Sequence, residues 1–152
     1  MVISVHLEAF DEATRVRQTQ FVRSLAEDHA KTNPVILMGD FNSALNRPTF
    51  VSAQGDTYEE TQFSIKEILS SERLTSAVPQ ENWTGKNATF PADSPEYKLD
   101  YLFYTPDTLE VLTTQVLSSA GKASDHLPLM MQFRFKFHAL RTVVAWRETR
   151  LL

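Results

Sequence analysis

The 152-residue chain contains no cysteine. Disulfides and thiolate metal centres are thereby excluded, and oxygen and imidazole remain as the available ligands. That restriction favours Mg²⁺, Mn²⁺ or Ca²⁺ over a structural zinc. No apolar stretch approaches the roughly 20 residues needed to cross a bilayer. Met1 to Leu7 carries neither a basic leader nor a small-residue cleavage site, so it does not read as a signal peptide and a cytoplasmic location is expected. An excess of basic residues is missing too. The formal charge of −4 and pI of 5.5 argue against a dedicated nucleic-acid coat protein. They leave room for an enzyme that holds a phosphate locally through a metal. The 42% hydrophobic and 11% aromatic content is that of one soluble globular domain with a real core.

Alternation in Val2–Leu7, with Ser4 and His6 between apolar residues, predicts a strand. Val16, Phe21, Val22, Leu25 and Ala26 then recur at helical spacing, predicting a helix from Asp11 to about Ala30 that opens on Asp11 and Glu12. Asn33-Pro34 stops it, because the residue before proline is pushed out of the α region. Pro34–Met38 is a continuous apolar run, short enough for a buried strand. Strand, helix and strand in succession make a layered α/β unit, and the crossover length leads us to expect a parallel pair. Asn42–Thr57 reads as a loop, with a short helical turn after Pro48. A second helix is expected over about Glu60–Arg73, and strands over Lys98–Tyr104, Leu109–Leu117 and Leu127–Phe137. Gln80–Pro95 is rich in Pro, Gly, Asn and Ser and reads as a long surface loop. We divide the chain into residues 1–137 and a tail, 138–152, read as a terminal helix on Leu140, Val143, Val144 and Leu151.

Apolar runs end repeatedly on polar, chemistry-bearing residues: Val2–Leu7 on His6, Val35–Met38 on Gly39-Asp40-Phe41-Asn42. Asp100 opens the run Asp100-Tyr101-Leu102-Phe103, and Ser124-Asp125-His126 precedes Leu127-Pro128. In extended chain Asp40 and Asn42 project together while Phe41 enters the core, and Gly39 admits a second backbone or a ligand. A carboxylate beside an amide can activate and orient a water next to a phosphate. The plainer alternative is an Asx-type turn that merely closes the strand. His126 needs a carboxylate on its second ring nitrogen to fix its tautomer, and Asp100 is the candidate. His6 could donate to a phosphoryl oxygen or be structural. Arg15 and Gln18, one helical turn apart, either brace the neighbouring loop or belong to an exposed face, and the exposed face is favoured.

Taken in order, His6-Leu7, Arg15-x-x-Gln18, Gly39-Asp40-Phe41-Asn42, Leu99-Asp100-Tyr101 and Ser124-Asp125-His126-Leu127-Pro128 resemble the C-terminal part of the endonuclease/exonuclease/phosphatase superfamily. That group includes deoxyribonuclease I, apurinic/apyrimidinic endonucleases, deadenylases, neutral sphingomyelinases and inositol polyphosphate 5-phosphatases. The resemblance implies an α/β (α+β) fold, a four-layer sandwich of two mixed sheets with helices outside. It implies divalent-metal-dependent hydrolysis of a phosphoester, with Mg²⁺ or Mn²⁺. Asp40 would be the base or water-orienting carboxylate and Asn42 would position water and phosphate. His126, held by Asp100, would stabilise charge on the phosphoryl oxygens, His6 would contact the phosphate, and Asp125 with Asp40 would support the metal.

The family's earlier half, with an Asn at a strand end and a Glu as main metal ligand, has no counterpart here, and the family pattern does not make Glu8 that ligand. The fold is therefore expected to lack its N-terminal half and to show an open edge with uncovered apolar surface. Two further readings follow: a catalytically impaired remnant acting as a binding or partner-dependent module, and a homo-oligomer completed by strand exchange. The substrate class is a nucleic acid, a phospholipid headgroup or an inositol phosphate, with the choice placed in the loop Gln80–Pro95, at Trp83, Lys86 and Asn87.

Overall fold

A computed structural model of the protein describes residues 1–45, 49–51, 57–59, 62–121 and 123–136. The expected tail helix over 138–152 lies outside the described residues. The chain opens with β1 (Val2–His6), crosses over through α1 (Glu12–Ala30) and returns as β2 (Ile36–Asp40). Asp11 caps α1 by accepting the Thr14 backbone N–H at 2.9 Å, which satisfies one of the orphan donors at a helix start. The crossover is long enough for a parallel return, and β1 and β2 are parallel.

Next come β3 (Thr49–Val51) and β4 (Thr57–Glu59), an antiparallel pair. Residues 49–51 were expected in a loop with a short helical turn after Pro48 and form a strand instead, and residues 57–59 were expected at and just beyond the end of that loop. Three-residue strands are too short to display an alternation, which is why the pattern hid them. Helix α2 (Gln62–Leu69) is shorter than expected, because Ser71 turns the chain by accepting the Leu74 N–H at its hydroxyl (3.2 Å). The remaining strands are β5 (Thr75–Ser76), β6 (Asp100–Tyr104), β7 (Leu109–Val116) and β8 (Leu129–Phe135).

A four-stranded mixed sheet runs β1-β2-β6-β5, with β2 antiparallel to β6. Because side chains alternate across a strand, its two faces bury different residues. Leu37, Tyr101 and Phe103 face a core shared with Ala26 of α1 and with Ile65 and Ile68 of α2. Ile36 and Leu102 face a second core with Leu109, joined by Met38, Tyr104, Val111, Leu129 and Met131. The protein is thus an α+β sandwich: helices, a mixed sheet, then the antiparallel β7–β8 pair. The uncovered surface expected above is present. Among the described residues β1 has β2 as its sole strand neighbour, and Val2, Leu112, Phe133 and Phe135 are exposed. No helix among the described residues is long and apolar enough to cross a membrane.

Candidate active site

Strand register assembles the site. His6 of β1 lies beside Asp40 of β2, and Asp40 lies opposite Asp100 of β6. Residues directly across a ladder share a face, so three polar side chains form one row at a single edge of the sheet. Asp40 ends its strand and Asp100 begins its own; antiparallel pairing brings an end to a beginning.

Gly39 makes the approach possible. Its φ of +132° is one that L side chains rarely adopt, and a Cβ there would sit 1.9 Å from the Val5 carbonyl oxygen. Phe41 then plunges into the core, fully buried, with its ring edge-on to Tyr101 and Phe103 at 5.7 and 5.4 Å. Asn42 takes a left-handed conformation (φ 46°), which Asn tolerates better than most residues. Its N–H donates to Asp40 Oδ1 at 2.8 Å, and its side-chain nitrogen donates to the Leu7 carbonyl at 2.8 Å. An Asx-type turn thus closes the strand and still leaves the second Asp40 oxygen facing two imidazoles. Oδ1 of Asp40 closes the turn, while Oδ2 lies 3.6 Å from His6 Nε2 and 3.8 Å from His126 Nε2.

His126 comes from the segment before β8. Its Nδ1 pairs with Asp100 Oδ2 at 2.7 Å, the partnership expected from sequence, which turns Nε2 toward Asp40. The ring rests on Phe90, centroids 4.8 Å apart. Thr89 ties the two partners together. Its hydroxyl accepts the N–H groups of Leu99 and Asp100 at 3.2 and 3.3 Å, and its carbonyl accepts the Leu127 N–H at 2.8 Å. Sequence reading missed Thr89 and Phe90 as site residues, although Thr89-Phe90-Pro91-Ala92 stands out in the loop. It also missed Lys98, whose position two residues before Asp100 is the one available signal.

The electrostatics follow from burial and from two carboxylates facing each other. Burial pushes the Asp40 carboxyl above its ordinary value and the Asp100 charge adds to this, while the Asn42 N–H, His126 and His6 oppose it. The hydrogen bond to Asp100 raises His126, desolvation works against it, and the charges of Asp100, Asp40 and Asp125 reinforce the rise. Burial pulls the Lys98 ammonium down to about 8, resisted by the Asp100 charge.

Asp40, Asp100 and His126 each offer a ligand atom, all within 4.8 Å of one another. The donor types suit a divalent cation, but Mg²⁺ takes about six ligands, mostly oxygen, so this trio could supply only part of a coordination shell. Asp125 stands apart from the trio. Its side chain is exposed and accepts the Ser124 hydroxyl at 3.3 Å, and its carbonyl accepts the Ala92 N–H at 2.7 Å. His6 is at the site but its side chain is 76% exposed.

Arg15 departs from the favoured exposed-face reading. It is buried at 1% exposure, and its Nη1 donates to the Glu8 carbonyl at 2.7 Å. Gln18 Oε1 accepts the Glu8 N–H at 2.8 Å, so the two residues brace the turn after β1, a role that helical periodicity cannot distinguish from exposure. Glu8 folds back on that turn, its carboxylate accepting the Phe10 N–H at 3.0 Å. Trp83, expected among the specificity residues, is a core side chain at 5% exposure whose indole N–H donates to the Val78 carbonyl at 2.7 Å. An aromatic in a polar loop reads as surface until packing buries it. Lys86 and Asn87 do line a surface groove, together with Thr114, Gln115 and Leu127.

Residues 3–126 match the model of the Endonuclease/Exonuclease/phosphatase family. A UPF0294 protein of Vibrio cholerae is 28% identical over 135 residues, which is 88% of this chain and 40% of that protein. The chain thus spans about two-fifths of the length of the curated relatives it matches. Among solved structures, a mannosyl-6-phosphatase from Bacteroides thetaiotaomicron superposes with a TM-score of 0.62 at 22% identity, over 88% of this chain and 51% of that one. A 3′ phosphatase from Neisseria, bound to a product DNA hairpin, gives 0.62 at 19% identity over 88% and 60% of the two chains. The matched stretch covers most of the chain, and the chain belongs to the endonuclease/exonuclease/phosphatase family.

Proposed function

We propose that this chain carries the acid–base and phosphate-contacting residues of a divalent-metal-dependent phosphoester hydrolase. The observation that carries the reading is the arrangement around Asp40 Oδ2, which has one imidazole at 3.6 Å and a second, carboxylate-anchored imidazole at 3.8 Å. A carboxylate whose proton affinity is raised by burial is a better proton acceptor than a free one. Asp40 receives the proton of an attacking water, and Asn42 orients that water and the phosphate. As the water oxygen bonds to phosphorus, the bond to the leaving oxygen breaks, and the leaving group is protonated by solvent. His126, whose bond to Asp100 favours its protonated form, donates from Nε2 to the phosphoryl oxygens as their charge grows, and His6 adds a second contact. Mg²⁺ or Mn²⁺ would be held through Asp40, with Asp125 assigned a supporting place outside the Asp40–Asp100–His126 trio, and would supply further positive charge to the same oxygens.

The specificity of the phosphoester, whether nucleic acid, phospholipid headgroup or inositol phosphate, is assigned to the groove at Lys86 and Asn87. A second reading is favoured by the incomplete ligand set: an impaired module that needs a partner, or a second copy, to turn over substrate. Hydrolysis of bis(p-nitrophenyl) phosphate with Mg²⁺ or Mn²⁺ tests the first reading. Asp40→Ala and His126→Ala should each lower the rate by about 10²-fold or more. Equal rates in all three proteins would sink the assigned roles.

A further inference from the structure

Bare apolar surface collects at one end of the sandwich. In β8, side chains two apart share a face, so Leu129, Met131, Phe133 and Phe135 form one row turned toward the four-stranded sheet. Leu129 and Met131 pack into the second core. Phe133 and Phe135 continue the row past it, 37% and 53% exposed, their rings edge to face at 5.8 Å. On the facing sheet Val2 lies across from Ile36, a member of that core, yet Val2 is 61% exposed. The backbone joins these positions. Phe135 pairs with Leu109, the Leu109 N–H donates to the Thr105 carbonyl at 3.0 Å, and the Thr105 N–H donates to the Val35 carbonyl at 3.1 Å. His6, Asp40 and Asp100 occupy the other end of their strands. The uncovered patch is thus remote from the catalytic row.

The residues that follow β8 have the length, polarity and charge to cover it. Strand β8 ends at Phe135, so the chain reaches residue 138 from this same end. Leu140, Val143, Val144 and Leu151 fall on one side of a helix. Three arginines and one glutamate give 138–152 a net charge of +2, so residues 1–137 hold −6 of the total −4, and opposite charges attract the two parts. A helix of that length is about 22 Å long and about 10 Å across. Packed sheets lie about 10 Å apart, which is the depth such a helix fills beside β8. Val2 is two strand spacings from β6, or about 10 Å, well within its reach. We propose that residues 138–152 dock back as an amphipathic helix on this bare inner face, covering Phe133, Phe135 and Val2. The inference is independent of the hydrolase reading.

The absence of cysteine permits a clean test on the whole chain. Thr149→Cys, on the opposite side of that helix from Leu140, takes one nitroxide spin label. In the NMR spectrum the label should broaden the amide resonances of Val2 and Phe133 and leave those of α1 sharp. Adding Leu140→Asp and Val144→Asp should abolish the broadening at Val2. The same pair of substitutions should lower Tm by about 5–15 °C through the loss of two buried apolar side chains. A Val2 resonance that stays sharp, or broadening of Val2 and α1 alike, would overturn the proposal. So would an unchanged Tm. Broadening that appears only when labelled protein is mixed with unlabelled, isotope-enriched protein would give the face to a second copy instead. The Thr149→Cys protein decides the docking even if the two aspartates prevent folding.

Discussion

Replacing Gly39 by alanine should be among the most damaging single-methyl changes in this protein. Two costs add. The residue sits at φ +132°, and holding a non-glycine in such a region costs about 1–3 kcal/mol. The new methyl would also stand 1.9 Å from the Val5 carbonyl oxygen, where real contacts under 3.0 Å are essentially never seen. The obstacle is backbone, not a side chain that can turn away, so β1 must retreat from β2 by more than an ångström. That retreat breaks ladder hydrogen bonds around the Val5–Gly39 pair, at about 1 kcal/mol each. With two bonds lost the total is about 3–5 kcal/mol, against a typical stability of about 5–15 kcal/mol. In urea, with a slope of about 2 kcal/mol/M, the midpoint should fall by about 2 M. Because Asp40 follows Gly39 and His6 follows Val5, their 3.6 Å approach should open as well. A Gly39→Ala protein whose midpoint lies within about 0.5 M of wild type would refute the steric reasoning.

Three other outcomes are expected. Thr19 and Ser64 join α1 to α2 through a fully buried 2.6 Å hydroxyl pair, so Thr19→Val should cost about 1–3 kcal/mol by stranding Ser64, and adding Ser64→Ala should recover part of it; chemical denaturation of the four proteins of the cycle measures this. The His126–Asp100 bond raises the folded-state pKa of His126 above 6.5, so its stabilisation is fully present below the unfolded value and is lost as pH rises through the folded one. The stability difference between wild type and His126→Gln should therefore shrink as pH rises from about 6.5 through the raised folded-state value, and a difference that grows with pH would contradict the assignment. Calorimetric titration with Mg²⁺ should show binding at millimolar metal that Asp40→Ala abolishes; no binding to wild type would support the partner-dependent module.

Much of this architecture is written in local pattern. The alternation of Val2–His6, the spacing of Val22 and Ala26, and the apolar run before Gly39 each carry their own period, so β1, α1 and β2 stand where they were expected. The Asp100–His126 pairing was legible because an imidazole needs a partner and Asp100 stands directly at the head of an apolar run. Arg15, Trp83 and Lys98 were not legible. Each is polar or amphipathic, Arg15 on a helix whose periodicity is neutral about it and Trp83 and Lys98 in connecting segments that have no period, and the burial of each depends on neighbours brought in from distant sequence. The β3–β4 pair escaped because three residues cannot show a period.

Residue types and spacing by themselves determined which chemistry this protein can host: hard oxygen and imidazole ligands, an Asp-His pair, strands ending on acids. Tertiary structure alone decided that His6, Asp40 and Asp100 fall in one row, that His126 turns its free nitrogen toward Asp40, and that a lysine is buried beside them. The reason is physical. Side-chain type is a property of one residue, whereas strand register, desolvation and the field of a neighbouring charge belong to pairs, and folding chooses the pairs.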